Sequence, residues 1–202
     1  MTPRFIAKQL SHPNGVIGIV IRDLMNRHNA RMNAFAVGQL QLAPSDRVLE
    51  IGFGGGSTLP ALLNTAAFVA GVDRSYDVIG WAKRHFTKAI ETGRAEFRQG
   101  NVESLPFNEA AFDKICTVNT VYFWTSLEAG FAEIYRVLKS GGRAIVGFLP
   151  KENMDRMGMP SDIFTTRAPG DVVVAMRQAG FHNIRIERPT PETAWNVLVA
   201  TR

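Results

Sequence analysis

From residue 47 onward, short β-rich hydrophobic runs alternate with helical stretches along the chain. The predicted strands are Arg47–Ile51, Ala67–Val72, Ala95–Gln99, Lys114–Val118 and Arg143–Phe148. The predicted helices are Thr58–Thr65, Tyr76–Thr92 and Leu127–Leu138. Because strands that alternate with helices form βαβ units, this order predicts an α/β fold: a parallel sheet with helices on both faces.

The last part of the chain has a different pattern. Val172–Ala179 is predicted to be a helix that ends before Gly180, and two strands follow, Asn183–Glu187 and Trp195–Thr201. No helix is predicted between these strands, and two strands joined by a loop pair antiparallel. We therefore expect an antiparallel pair at one edge of the sheet.

Two amphipathic helices are predicted before the first strand, Val16–Met25 and Ala30–Leu40. They are too short to bury a core of their own, so we expect residues 1–45 to pack on the sheet as a helical lid of the same domain, which continues over residues 46–202. The apolar run at the start is shorter than the roughly 20 residues that cross a bilayer. We expect no transmembrane segment, no signal peptide and a cytoplasmic location.

Composition fits this single domain, since 202 residues with 46% hydrophobic side chains are typical of one globular core. Cys116 is the only cysteine and lies in an apolar strand, so we predict a core residue and no cysteine-built zinc site. The net charge is +5, but Lys and Arg are scattered rather than clustered. We favour a solvated basic surface over a nucleic-acid site.

The clearest chemical signal is the segment VLEIGFGGGS at residues 48–57, a strand with an acidic residue that runs into alternating glycines. Gly52, Gly54 and Gly56 allow a sharp turn and a close approach of the backbone to a ligand. Asp73 closes the next strand, where its carboxylate can accept hydrogen bonds from both hydroxyls of a ribose. NAD enzymes use a similar acid, but the third glycine of their fingerprint is Ser57 here, which disfavours an NAD-dependent oxidoreductase.

Residues 46–202 resemble the class I S-adenosylmethionine-dependent methyltransferases, in particular the small-molecule type of the ubiquinone and menaquinone pathways. The segments that carry the resemblance are Glu50-x-Gly52-x-Gly54-x-Gly56, Asp73, Gly100 to Phe107, Phe112 to Ile115 and Glu133 to Arg143. The family's Gly-Asp in the third segment is Gly-Asn here. The resemblance implies a Rossmann-like, doubly wound sheet of seven strands, mostly parallel with an antiparallel final strand.

The resemblance also implies roles for individual residues toward S-adenosyl-L-methionine. The three glycines would flank its methionine part, Glu50 would order their loop, and Asp73 would bind the ribose. Arg74 and Val102 would cover the two faces of the adenine, Asn101 would meet its amino edge, and Asn119 would lie in the segment beside the transferable methyl.

The segment Thr117 to Trp124 lacks the Asn/Asp-Pro-Pro-aromatic pattern of nucleic-acid N-methylating relatives, and Cys116 lacks the setting of a cytosine-C5 nucleophile. A small-molecule acceptor follows by elimination. An RNA or DNA methyltransferase and a non-catalytic binding module stay open as alternatives. The insertion Lys151–Arg167 carries several methionines, which leaves two interpretations open. It either roofs a hydrophobic acceptor pocket together with Tyr122, Phe123 and Trp124, or its apolar residues pack in the core, which we favour for each residue taken singly.

Polar residues between the two N-terminal helices leave two interpretations open. Asn26 and Asn29 either point into the pocket or cap helix ends, and His28 is a weaker candidate for a general base. No residue is assigned as catalytic, and no metal ligand is predicted.

Overall fold

The structure is a computed structural model that describes residues 29–202. The strands are β1 (Arg47–Ile51), β2 (Phe68–Asp73), β3 (Ala95–Gln99), β4 (Phe112–Val118), β5 (Leu138–Phe148), β6 (His182–Glu187) and β7 (Asn196–Thr201). The helices of this part of the chain are α1 (29–39), α2 (Leu59–Thr65), α3 (Tyr76–His85), α4 (Thr87–Glu91), α5 (Leu127–Val137), α6 (Lys151–Arg156) and α7 (Pro169–Gln178). A 3₁₀ turn covers Val121–Phe123.

The seven strands form one sheet in the order β3-β2-β1-β4-β5-β7-β6. Strands β1 to β5 are parallel, and β7 is antiparallel to both β5 and β6. The predicted doubly wound α/β fold and its antiparallel edge are confirmed. The order reverses direction at β1, which lies between β2 and β4, and this is where open α/β sheets bind ligands.

Helices cover both faces of the central strands. Neighbouring residues of a strand point to opposite sides, so each strand contributes to two separate hydrophobic clusters. Val48 packs with residues of α1, α2 and α3, whereas Leu49 packs with residues of α5 and α7. In β4, Ile115 belongs to the cluster with α5 and α7, and Cys116 belongs to the cluster with α1, α2 and α3. Cys116 is fully buried, as the sequence predicts for a core residue.

The predicted helix Tyr76–Thr92 is in fact two helices, α3 and α4, that meet at Phe86. The backbone of Phe86 leaves helical geometry, and its ring packs 5.6 Å from that of Phe97 in the core. The Thr87 hydroxyl shares its proton between the carbonyls of Lys83 and Arg84. Such a side-chain bond competes with the backbone bonds that continue a helix. Periodicity alone does not reveal this break.

Other boundaries differ by a few residues. Helix α7 begins at Pro169 rather than Val172, because proline suits the first helical turn. Strand β5 begins at Leu138, which pairs with Phe112, so it is longer than predicted. The insertion contains the short helix α6, which the sequence did not predict. The predicted helix Val16–Met25 lies outside the described residues.

Helix α1 packs directly on the sheet. Met32, Ala36 and Leu40 are buried in the same cluster as Val48. The Phe35 ring lies 5.5 Å from that of Trp195, and the Arg143 guanidinium donates to the Gln39 carbonyl. No helix of the described residues is long and apolar enough to cross a membrane.

Candidate active site

The candidate site lies along one edge of the sheet, at the carboxyl ends of the parallel strands. Gly52 follows β1, Asp73 ends β2, Asn101 comes soon after β3 and Asn119 comes directly after β4. Since these strands are parallel and adjacent, their carboxyl ends meet at the same edge. The fold therefore brings together residues that are far apart in sequence.

The glycine loop, residues 52–57, holds its three alternate glycines in the left-handed region, with φ of +67° at Gly52, +47° at Gly54 and +66° at Gly56. A Cβ at Gly56 would lie 2.6 Å from the Trp81 ring, and one at Gly52 would overlap Thr120. A Cβ at Gly54 would meet nothing within 4 Å. Gly52 and Gly56 are thus fixed by protein packing, whereas Gly54 borders open space.

Asp73 connects this loop to the tip of β2. Its Oδ2 accepts from the backbone N–H of Gly54 at 3.0 Å, and its Oδ1 accepts from the N–H of Ser75 at 2.9 Å. A carboxylate has about four lone-pair sites, and these two bonds use one site on each oxygen. Asp73 is half-buried, and its carboxylate fixes the loop at the glycine that faces open space.

Glu50 lies beneath the glycine loop, with only 5% of its surface exposed. Its Oε1 accepts from the Thr58 hydroxyl, and its Oε2 has no hydrogen-bond partner among the described residues. Burial raises the pKa of Glu50 to about 7, against the opposing effect of the Thr58 bond, and the charge of Asp73 raises it further. Glu50 is therefore a buried carboxyl group that titrates near neutral pH.

Cys116 pairs with Glu50 across β1 and β4. Burial first, and the charge of Glu50 second, raise the pKa of the Cys116 thiol well above its ordinary value. Because the thiolate is the nucleophilic form of cysteine, this residue is not a candidate nucleophile.

The loop after β3 is held in place by α5. Glu133 accepts from the backbone N–H of Leu105 at 2.7 Å, and Glu103 accepts from the N–H of Ser126 at 2.8 Å. Within this loop Asn101 is exposed, its Oδ1 accepting from the N–H of Glu103, while Val102 is buried. The exposed amide of Asn101 is thus held at the same edge as Asp73.

Asn119 has a left-handed backbone, with φ of +58°. The single proton of the Tyr122 hydroxyl is shared between two acceptors, Asn119 Oδ1 at 3.2 Å and the Leu149 carbonyl at 3.3 Å, and the hydroxyl oxygen accepts from the Leu149 N–H. Burial raises the pKa of Tyr122. This neutral, fully bonded hydroxyl orients the Asn119 carboxamide, a contact that sequence analysis missed because it depends on the 3₁₀ turn.

A cavity of about 520 Å³, here called the aromatic cavity, opens at the same edge. Its lining consists of Arg74, Tyr122, Phe123, Trp124, Thr125, Asp162, Ile163, Thr165 and Arg167. The residues after β4 thus meet the insertion after β5, and Arg74, with its guanidinium 5.1 Å from the Phe123 centroid, joins the cavity to Asp73.

The insertion contributes to the aromatic cavity only in part. Ile163 lines it, whereas Met154 and Phe164 are buried core residues and Met157 is 49% exposed. The insertion residues that line the cavity beside Tyr122, Phe123 and Trp124 are therefore mainly polar, and no methionine is among them.

A model of the methyltransferase domain family matches residues 49–146. The chain is 28% identical over 167 residues to an uncharacterized methyltransferase, YdaC, of Bacillus subtilis, covering 81% of this chain and 87% of the relative. It is also 28% identical over 115 residues to the ubiquinone/menaquinone biosynthesis C-methyltransferase UbiE of Geotalea daltonii, covering 55% of this chain and 49% of that one.

The fold has a close match among solved structures. Geranyl diphosphate C-methyltransferase from Streptomyces coelicolor, solved with S-adenosyl-L-homocysteine, superposes with a TM-score of 0.71 at 17% identity, covering 96% of this chain and 87% of that one. Residues 49–146 match a methyltransferase domain, and the chain is an S-adenosylmethionine-dependent methyltransferase. The cofactor of this methyltransferase is therefore S-adenosyl-L-methionine.

One residue of α1 reaches the glycine loop of the methyltransferase. Asn33 Nδ2 donates to Ser57 Oγ at 2.9 Å. Sequence analysis did not select Asn33, because nothing in the pattern indicates that α1 lies over this loop. Asn29 lies in the first described turn of α1, and Asn26 and His28 lie outside the described residues.

Proposed function

We propose that this methyltransferase transfers a methyl group to a small, partly hydrophobic acceptor that binds in the aromatic cavity. The observation that carries the proposal is the position of this cavity, which shares Arg74 with the edge where Asp73 and the glycine loop meet. Phe123, Trp124 and Ile163 supply apolar surface there. Two similar proteins, a ubiquinone/menaquinone biosynthesis C-methyltransferase and a geranyl diphosphate C-methyltransferase, support an acceptor of this type.

The residues at the edge fit S-adenosylmethionine. Gly54 borders open space, so the backbone there can approach a ligand, and the carboxylate of Asp73 beside it is a group that accepts hydrogen bonds from ribose hydroxyls. We assign Gly52, Gly54 and Gly56 to the methionine part. Glu50 supports the loop through Thr58.

We assign the adenine to the neighbouring loops. Arg74 and Val102 flank the ring, and the exposed amide of Asn101 accepts from the adenine amino group. Asn119 lies beside the methyl-bearing end of the cofactor, where the Tyr122 hydroxyl orients its carboxamide. Helix α1 covers the glycine loop through Asn33, in keeping with a lid built by residues 1–45.

When bound, the cofactor would supply an electrophilic methyl: an electron pair of the acceptor would form the new bond, and the electrons of the broken carbon–sulfur bond would stay on sulfur. The chain has to hold the acceptor in line and exclude water, and such orientation can lower a barrier by roughly 7–11 kcal/mol. Tyr122 and Trp124 are almost fully buried and form a rigid inner wall for this purpose. We assign no general base, since an acceptor that loses its proton readily needs none.

Replacement of Asp73 by alanine tests the cofactor site. We expect the affinity for S-adenosylhomocysteine to fall about 10–100-fold, because hydrogen bonds to a charged group contribute roughly 1.5–3 kcal/mol. Isothermal titration calorimetry measures this directly. Asp77→Ala is the matched control, since Asp77 is exposed on α3 and should leave the affinity unchanged. Equal affinities of the wild type and Asp73→Ala would refute the assignment.

A further inference from the structure

Arg167 is fixed at the wall of the aromatic cavity. Its Nη2 donates to the Trp124 carbonyl at 2.7 Å, and its Nε donates to the Val121 carbonyl at 3.4 Å. The backbone carbonyl of Arg167 accepts from the Lys151 N–H at 2.9 Å, and this bond joins the two ends of the insertion. The guanidinium is thus held in one place by neutral groups on the turn that lines the cavity.

No described carboxylate forms an ion pair with Arg167. The charge of Arg167 contributes to lowering the pKa of Glu128, but Glu128 is fully exposed and its carboxylate accepts from the Ser126 hydroxyl. No described hydrogen bond uses the Nη1 group of Arg167. A half-buried guanidinium with free N–H groups and no paired anion is suited to bind one.

The rest of the lining adds to this preference. Two guanidinium groups, Arg167 and Arg74, face one carboxylate, Asp162, so the cavity has an excess positive charge. The exposed Thr125 and Thr165 add hydroxyl donors beside Arg167. The Phe123 ring belongs to the same lining, lies 5.1 Å from the buried Phe164 ring, and presents an apolar surface.

We propose that the methyl acceptor carries an oxyanion, a carboxylate or a phosphate, next to an aromatic or aliphatic body, and that Arg167 binds this oxyanion. The inference rests on the proposed function and names its substrate class. The apolar body packs against Phe123 and Ile163. The charged group sets the orientation, since a guanidinium fork can donate two parallel hydrogen bonds to a carboxylate or phosphate.

Binding of small probes to the complex with S-adenosylhomocysteine tests this proposal. Phenyl phosphate and benzoate are titrated by calorimetry at low salt and compared with phenol and benzyl alcohol, which have similar rings without the charge. We expect the anionic probes to bind at least about tenfold more tightly than the neutral ones. A stronger response to phenyl phosphate than to benzoate indicates a phosphate acceptor, and the reverse indicates a carboxylate.

Arg167→Gln should remove the anionic preference and leave the binding of phenol unchanged. Arg167→Lys should retain only part of the preference, because an ammonium lacks the fork geometry. Arg177→Gln is the control, since Arg177 is exposed in the last turn of α7. If Arg167 serves only to hold the turn after β4 against the insertion, its replacement weakens the binding of charged and neutral probes alike, and the proposal fails.

Three other outcomes overturn the inference. In the first, anionic and neutral probes bind equally, and in the second, neither anionic probe binds the complex. In the third, phenyl phosphate binds the cofactor-free protein and is displaced by S-adenosylhomocysteine, which makes the cavity part of the cofactor site. Binding of S-adenosylhomocysteine itself is recorded in the same experiments. Its absence contradicts the proposed function, whereas its presence without any preference for anions contradicts only the oxyanion.

Discussion

Glu50 shows how burial changes the chemistry of one side chain. The carboxyl lies under the glycine loop with one oxygen bonded to Thr58 and the other without a partner among the described residues. An ionised carboxylate in this position loses its hydration without full compensation. The protonated form is therefore favoured up to a pKa of about 7, compared with 4.5 in the unfolded chain.

This shift predicts that the protein loses stability as the pH rises from 5 to 8. Between the two pKa values the native state binds more protons than the unfolded state, so the free energy of unfolding falls with increasing pH. A shift from 4.5 to about 7 corresponds to about 3 kcal/mol, most of it within this pH range. Urea denaturation at several pH values measures it.

Glu50→Gln should remove most of this pH dependence. The amide oxygen can still accept from Thr58, but the side chain no longer titrates. Glu91→Gln is the control, because Glu91 is exposed at the end of α4. A pH dependence that is the same in Glu50→Gln and the wild type would contradict the assignment of the titration to Glu50.

At the scale of single residues, the sequence predicts where a residue lies best when the residue type has few physical uses. Alternate glycines after a strand and an acid at the end of the next strand both lie at the expected edge. Arg167 and Asn33 were not selected, because their contacts join segments that are distant in sequence. Nothing local marks either residue as different from other polar surface residues.

The three alternate glycines of the glycine loop share a left-handed backbone but differ in what surrounds them. Gly56 and Gly52 cannot carry a Cβ without displacing Trp81 or Thr120, so their replacement should impair folding. Gly54 has a left-handed φ but open space beside it. Gly93, in the turn between α4 and β3, has the same two properties far from the glycine loop in sequence.

Gly54→Ala and Gly93→Ala form a matched pair. Both should lower the free energy of unfolding by about 1–2 kcal/mol, the cost of a left-handed backbone for a residue with a Cβ. Only Gly54→Ala should also weaken the binding of S-adenosylhomocysteine, because its methyl group enters the space proposed for the cofactor. Calorimetry and thermal denaturation of both variants test this. A similar loss of affinity in both would show that strain, and not the added methyl, is responsible.

Most elements follow from periodicity, with errors at their ends. The seven predicted strands are all present, and the antiparallel pair follows from the missing helix between β6 and β7. The division of one predicted helix at Phe86 was not predicted, because it depends on Phe97 of a different element. Helix α6 was missed since six residues within an insertion carry too little pattern.

At the scale of the whole molecule, α1 belongs to the core of one face of the sheet. Met32 is 5% exposed and packs close to Gly147 of β5, within the cluster that also contains Val48. This packing predicts that α1 unfolds together with the sheet.

Met32→Ala should therefore lower the global free energy of unfolding by about 2–5 kcal/mol, the usual cost of truncating a large buried side chain, with a single transition retained. Arg31→Ala, on the exposed side of α1, should change it little. Fluorescence and circular dichroism followed during urea denaturation measure both variants. An unchanged global midpoint for Met32→Ala would mean that α1 detaches before the sheet unfolds.

The amino-acid sequence by itself determined the α/β fold, the glycine loop and the acid at the tip of β2, because these depend on local periodicity and on residues with few physical alternatives. Only the tertiary structure decided which polar residues meet across the edge: Asp73 with Gly54, Tyr122 with Asn119, and Arg167 with the turn after β4. Such pairs form between segments that the chain order separates and the parallel sheet brings together. The charge of the aromatic cavity is therefore a property of the fold, and the oxyanion proposed for the acceptor follows from it.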